Sequence, residues 1–471
     1  MITDLKPYPA MKDSGVPWLG EVPAHWDIER LKSLMSNIIQ QTARRKDTDL
    51  YIALEHVESW TGRIQSAEPD VSFDSQVKRF QSGDVLFGKL RPYLAKVARP
   101  AGNGVCVGEF FVLRPQDSKA TAAYMEQLLR AKPVIDAVNS STFGAKMPRA
   151  DWYSLGGMPV TLPPLPEQAA IVRFLDYMDR RIRRYIRAKQ TLIKLLEEQK
   201  QAIIHRAVTR GLDADVRLKP SGVEWLGEVP AHWEVKRLKV MAQIRYGLGQ
   251  PPRESETGLP LIRATNVDHG RILEKNLVRV DPEDVPSTRN AFLSEGEIVV
   301  VRSGAYTADS AIIPREYAGA VAGYDMVVTP RKARPEFIAL ALLCTYVRDD
   351  QLIIASMRSA QPHLNAEELG VALVMVPPEV EQVRIVDYLT SATRELDAAA
   401  ETAHREISLL REYRTRLIAD VVTGKLDVRE VAARLPDEDD EPESLEDDDA
   451  LIDAEDATSA DLDAVSEEAE A

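Results

Sequence analysis

Only two cysteines, Cys106 and Cys344, occur in 471 residues, and neither has CxxC or CxxH spacing around it. This excludes a disulfide framework and a cysteine-based zinc site, and leaves both thiols as expected core fillers. No apolar run approaches the roughly 20 residues of a membrane span. The opening Met1-Ile2-Thr3-Asp4-Leu5-Lys6-Pro7 lacks the basic-then-apolar order of a signal peptide, so a cytoplasmic location is expected. Signatures of catalysis are missing too. There is no Gly-x-x-x-x-Gly-Lys-Ser/Thr loop to cradle phosphates, and neither Gly102-Asn103-Gly104 nor Gly247-Leu248-Gly249 extends to GxGxxG. No Asn/Asp-Pro-Pro-Tyr/Phe segment of an amino-methyltransferase is present. The nearest approach to a nuclease cluster, Asp70, Asp74 and Lys78, has Gln76 where a second metal-binding carboxylate is required. The chain therefore reads as a non-enzyme, with no metal and no cofactor of its own.

Basic residues are absent from one stretch. From Asp437 onward there are 18 acidic residues and no Lys or Arg, so residues 1–436 carry +3 although the whole chain carries −15. The acidity belongs to a tail that is expected to be disordered, and the body is slightly basic, which permits nucleic-acid binding. A sharper expectation is that the tail competes with nucleic acid for a basic face.

What is present is a duplication. Ser14-Gly15-Val16-Pro17-Trp18-Leu19-Gly20-Glu21-Val22-Pro23-Ala24-His25-Trp26 returns 207 residues later as Ser221-Gly222-Val223-Glu224-Trp225-Leu226-Gly227-Glu228-Val229-Pro230-Ala231-His232-Trp233. That offset is too long for a solenoid or propeller repeat and indicates a duplicated domain. It drifts to 213 at Gly83/Gly296 and holds at 214 from Pro148/Pro362 through Val208/Val422. His25 and His232 have no Ser, Cys or paired carboxylate at a telling spacing, so hydrogen bonding within the fold is expected of them. The tryptophans read as core anchors.

Each half begins with this opening segment and continues into a body with short β-rich runs such as Asp84-Val85-Leu86-Phe87 and Glu297-Ile298-Val299-Val300-Val301. It ends in a long helix. After Leu162-Pro163-Pro164-Leu165-Pro166 the chain runs without Pro or Gly to Gly211. Leu175, Met178, Ile182, Tyr185, Lys189, Leu192, Leu196, Gln199 and Ile203 form a heptad-like seam. The matching seam is Leu389, Ala392, Leu396, Ala399, Ala403, Glu406, Leu410, Tyr413 and Leu417. The predicted fold class is mixed α/β: two duplicated modules separated by two long antiparallel helices in a coiled coil, with an acidic tail. The boundaries are 1–21 for the N-terminal segment, 22–160 for the first module, 161–220 for the central helical spacer, 221–375 for the second module, 376–430 for the C-terminal spacer and 431–471 for the tail.

The ordered, doubled Trp-Leu-Gly-Glu-Val-Pro-Ala-His-Trp segment, the run Gly83-Asp84-Val85-Leu86-Phe87-Gly88-Lys89-Leu90-Arg91-Pro92-Tyr93-Leu94, and Pro163-Pro164-Leu165-Pro166-Glu167-Gln168 before a long helix resemble one family. It is the specificity (S) subunit of type I restriction-modification systems, the HsdS family, and the resemblance covers about residues 14–430. It implies two target-recognition domains, each reading half of a bipartite site in double-stranded DNA, with helices that set the gap. It also implies a non-catalytic adaptor for two methyltransferase subunits and for restriction subunits. S-adenosylmethionine, ATP and Mg2+ would then belong to those partners. A coiled-coil scaffold that never touches DNA is the alternative.

Base edges are read by Arg, Lys, Asn and Gln, and phosphates are held by cations and hydroxyls. On that basis the expected DNA-contacting residues of the first module are Lys89, Arg91, Tyr93, Lys96, Thr142, Lys146 and Arg149. Those of the second are Arg302, Ser303, Tyr306, Arg358, Gln361, His363 and Asn365.

Overall fold

A computed structural model describes residues 5–43, 46, 48–65, 76–116, 118–144, 147–286, 290–357 and 362–436. The chain divides into two compact units, Met1–Thr191 with Ala403–Ala471, and Leu192–Thr402. Each unit therefore takes one segment from each of the two long helices, Leu165–Arg210 and Glu379–Val422.

The first unit is built on an antiparallel sheet ordered Met35–Ile38, Phe110–Pro115, Val85–Gly88, Val97–Ala98. The second unit repeats it as Ala242–Tyr246, Met326–Pro330, Ile298–Val300, Ser310–Ile312. The central strands read Phe-Phe-Val-Leu and Met-Val-Val-Thr and are buried on both faces, which explains their continuous apolar character. A smaller sheet in each unit contains one parallel pair, Gly104–Cys106 with Leu50–Ile52 and Leu261–Ile262 with Val321–Ala322. Burial raises both Cys106 and Cys344 to about 12, as inert core thiols.

The duplicated opening segment is a clamp. In the first unit Asp27–Arg30 pairs with Pro159–Leu162, the strand that runs into the first long helix. His25 Nε2 lies 2.8 Å from Glu167 Oε2 in that helix's first turn, where a carboxylate also favours the helix dipole. Trp26, fully buried beside it, sits in the same core cluster as Leu417, Ile418, Val421 and Val422 from the end of the second helix. Val422 O accepts from Thr161 Oγ1 at 2.8 Å, which fastens that end to the strand. The second unit does the same with partners exchanged. His232 Nε2 is 2.7 Å from Glu381 Oε2, and Trp233 clusters with Ile204, Ala207 and Val208. In the first unit the chain ends also meet, through a bridge between Lys6 and Asp427.

Within each unit the two helix segments run antiparallel. Asp179 pairs with Arg414 at 2.6 Å and Lys189 with Glu406 at 2.6 Å in the first unit, and Lys200 pairs with Asp397 at 2.7 Å in the second. The heptad seam is buried in part, at Leu175, Met178, Ile182, Leu389, Ala403 and Leu417. Tyr185 and Leu192 are 51% and 40% exposed, and Ala399 is exposed as well. Instead Ile171, Ile182, Ile193 and Ile204, eleven residues apart, are all buried. The second helix repeats the spacing with Ile385, Leu396, Ile407 and Ile418, of which only Leu396 is partly exposed. Eleven residues in three turns is about 3.67 per turn, close to the natural helix, so the apolar face stays in line where a 3.5 spacing would drift.

Each long helix stops at a glycine in the left-handed region, Gly211 at φ 75° and Gly424 at φ 79°. A Cβ at Gly424 would stand 2.2 Å from Pro23 Cδ, whereas at Gly211 the nearest atom is the movable Glu381 Oε1 at 2.9 Å. Either alanine carries the left-handed penalty of about 1–2 kcal/mol. Gly424→Ala should lower the melting temperature of the full chain clearly more than Gly211→Ala; equal losses would contradict the close seating of the opening segment on the helix end.

Candidate nucleic-acid interface

The loop that follows the helix Lys132–Ser140 folds back along residues 89–91. Phe143 and Arg149 bridge across its neck, Leu90 bridges Arg149, Arg91 N donates to Pro148 O at 2.8 Å, and Ala150 N donates to Lys89 O at 2.9 Å. This ladder brings Lys89, Arg91 and Arg149 together. The second module repeats it: Ser303 bridges His363, and Leu364 N donates to Arg302 O at 2.7 Å. The two frames correspond, with Lys89 matching Arg302 and Arg149 matching His363, while the strand registers align Phe111 with Met326 and Glu109 with Tyr324.

The side chains on those frames differ. In the first module Lys89 Nζ lies 5.3 Å from the centre of the Phe111 ring and Lys78 Nζ lies 5.9 Å from the same ring. Lys78 is buried and donates to Phe110 O at 2.7 Å. Burial, and then the neighbouring Lys89 ammonium, push its amine down to about 8. Arg149 Nη2 reaches Glu109 Oε1 at 3.2 Å and stays half exposed. In the second module the Arg302 guanidinium carbon lies 4.7 Å from the Tyr246 ring centre and 4.4 Å from that of Tyr324, and Nη2 is 2.8 Å from His363 Nε2. Its backbone N–H donates to the buried Asp325.

Other expected residues have mixed placements. Tyr93 and Tyr306 are exposed beside these ladders, and Arg91 starts the short helix Pro92–Leu94 in the left-handed region at φ 49°. Lys96 turns inward, donating to Leu54 O at 3.0 Å. Thr142 donates to Asn139 O at 2.8 Å, ending a helix. Asn365 caps the helix Ala366–Val371, its Oδ1 accepting from Glu367 N and Glu368 N while Glu368 returns the bond. Lys146, Arg358 and Gln361 lie outside the described residues, as do Asp70 and Asp74. Sequence reasoning missed Lys78 as part of this site, and missed Phe111, Tyr246, Tyr324 and Asp325. Also missed are Phe143 and Met357, matched apolar side chains that both protrude into solvent.

Elsewhere in the second unit Asp268, His269 and Asp309 gather one potential metal-ligand atom each within 4.8 Å. Hydrogen bonding to Asp268 raises His269 above the ordinary imidazole range, and its backbone N–H donates to Asp309 Oδ2 at 3.1 Å. The group ties the turn at His269-Gly270 to the strand Ser310–Ile312, where Gly270 N donates to Ser310 O at 2.9 Å.

The family model described as type I restriction modification DNA specificity domain matches residues 230–407. Over those residues the chain is similar to the specificity subunits of type I restriction-modification systems. Its relatives include the EcoDI specificity subunit of Escherichia coli, 26% identical over 34% of this chain and 36% of that subunit. The EcoKI specificity subunit of Escherichia coli strain K12 is 20% identical over 67% of this chain and 68% of its own length. The similarity therefore spans about a third of the one relative and two thirds of the other. A solved chain from "Structural basis underlying complex assembly and conformational transition of the type I R-M system" shares the fold, with a TM-score of 0.60 at 18% identity over 86% of this chain and 99% of that one. Residues 230–407 are thus similar to a DNA specificity domain. The matched residues fall in the second module and its helix; the first module is joined to them by the duplication. Among the described residues no helix is long and apolar enough to cross a membrane.

The two ammonium groups around Phe111 generate a measurable expectation. Lys78 should titrate near pH 8 in lysine NMR of the folded chain, and Lys89→Met should move that midpoint upward by removing a like charge. A Lys78 midpoint at the ordinary value near 10.4 would show that the two groups do not face one ring.

Proposed function

We propose that the two modules read the two halves of a bipartite duplex DNA site and that the long helices set the gap between them and dock two methyltransferase subunits. The observation that carries this reading is one backbone ladder built twice with unlike polar side chains, Lys89 and Arg149 in one and Arg302 and His363 in the other. Identical frames with divergent donors are what two different half-sites require, since sequence is read by side-chain donors and the frame only positions them. Methyl transfer with S-adenosylmethionine, ATP-driven work and Mg2+ binding would be supplied by methyltransferase and restriction subunits. The acidic residues 437–471 would act as a competitor for the DNA-facing cations, an effect that fades with added salt.

Replacing Lys89 and Arg149 together with Ala should degrade recognition of one half-site and leave the other intact, as read by sequencing methylated adenines in cells that carry the whole system. Equal loss at both halves would refute modular reading. The buried face repeats every eleven residues, so the length change that preserves packing is eleven residues inserted at matching places in both helices. That adds about 16 Å and should widen the preferred gap by about five base pairs. An unchanged gap would remove the ruler role from the helices.

A further inference from the structure

The surroundings of Arg302 point to one kind of contact. Its guanidinium lies between the rings of Tyr246 and Tyr324, at 4.7 and 4.4 Å, and one edge is held by His363 at 2.8 Å. Tyr246 is itself fixed, its hydroxyl accepting from Ala366 N at 2.9 Å, and the Arg302 main chain is held at both ends by Leu364 N and the Asp325 carboxylate. A long side chain clamped on both faces has already lost its rotamer freedom, so further ordering on binding costs little. The buried Nε finds no partner within the protein, and both flanking rings are open to solvent. The result is a planar set of N–H donors in a fixed orientation.

Charge separates a base contact from a phosphate contact here. Asp325 is buried and accepts from the Arg302 backbone N–H at 3.1 Å, and burial raises it to about 6, so at neutral pH it is mostly an anion close to Arg302. The pair is nearly neutral, which suits the partial charges of a base edge better than the full charge of a phosphate. A phosphate anchor needs a free cation and no fixed plane, and the first module has that chemistry at the matching place. There Lys89 stands over Phe111 with Lys78 beside it, two ammonium groups near one carboxylate, Glu109, that is itself bonded to Arg149. Lysine is a point charge; arginine is a rigid fork matched to two acceptors. Among the base edges of the major groove, two adjacent acceptors facing one fork are O6 and N7 of guanine.

We propose that Arg302, stacked between Tyr246 and Tyr324, reads a guanine in the half-site of the second module, and that the first module has no equivalent guanine reader at Lys89. This rests on the DNA-reading function proposed above.

The test uses the full chain assembled with its methyltransferase subunits and a duplex library randomised across both half-sites, bound at fixed salt and sequenced. The wild-type complex is expected to select guanine at one position that depends on Arg302. Arg302→Lys keeps the charge but loses the fork, and should cut the guanine preference there about ten- to a hundredfold with every other position unchanged. Tyr324→Phe retains the stacked ring and should retain the preference, which separates loss of reading from loss of fold. Unaltered selection by Arg302→Lys would overturn the proposal. So would uniform weakening on all sequences with a shallower salt dependence, the mark of a phosphate contact. A wild-type complex with no sequence selection at all would instead remove the DNA-reading function itself, and the proposal with it.

Discussion

An indole seated on the glycine that ends a helix is the contact on which each half of this molecule depends. Trp26 packs at Gly424 and Trp233 at Gly211, and the histidine before each tryptophan bonds a glutamate in the first turn of the other long helix. One short segment thereby joins the start of one helix to the end of the other. The strand that follows it pairs with the strand that enters the helix, and the core sheet is built outward from there. The ladder carrying Lys89 or Arg302 is thus tied to the helix ends through a continuous chain of backbone hydrogen bonds and buried side chains. A position held that firmly can present a side chain in one orientation, which discrimination between bases requires.

The two copies show how function diverges on a constant frame. Replacing the cation and the ring beneath it, Lys89 over Phe111 by Arg302 over Tyr324, changes a pair of crowded ammonium groups into a stacked fork balanced by a carboxylate. The ring under Lys89 is buried within the central strand, whereas Tyr324 stands half exposed just before its strand.

Much of this was legible in the residues. The doubled Pro-Ala-His-Trp segment announced two copies, the proline-free run to Gly211 and the matching seam from Leu389 to Leu417 announced two helices, and the loops ending at Pro148 and Pro362 were rightly matched to each other. The seam held at Leu175, Met178 and Ile182 and failed at Tyr185 and Leu192, where Ile193 is buried instead, because hydrophobicity alone does not choose between 3.5 and 3.67 residues per turn. Asn365 was read as a DNA contact although Asn365-Ala366-Glu367-Glu368 spells a capping box, a local signal that outweighs a compositional one. Lys78 was weighed as part of an acidic cluster. Its proximity to Lys89 arises where the smaller sheet meets the main one at Phe110 and Phe111, which no short-range pattern encodes.

The exchange of helix ends has a consequence for synthesis. The second unit is contiguous, residues 192–402, and its tryptophan socket is complete once Trp233 and the nearby sheet have followed the first helix off the ribosome. The first unit is not contiguous: its core needs Leu417, Ile418, Val421 and Val422. At about 5–20 residues per second, those side chains emerge roughly 10–50 s after residue 191. During that interval the N-terminal module carries an uncovered tryptophan and an unpaired helix face, and the later module, whose core includes Ile385 and Leu389, closes shortly before it. The half made first is finished last, and its exposure in the cell is set by the speed of translation.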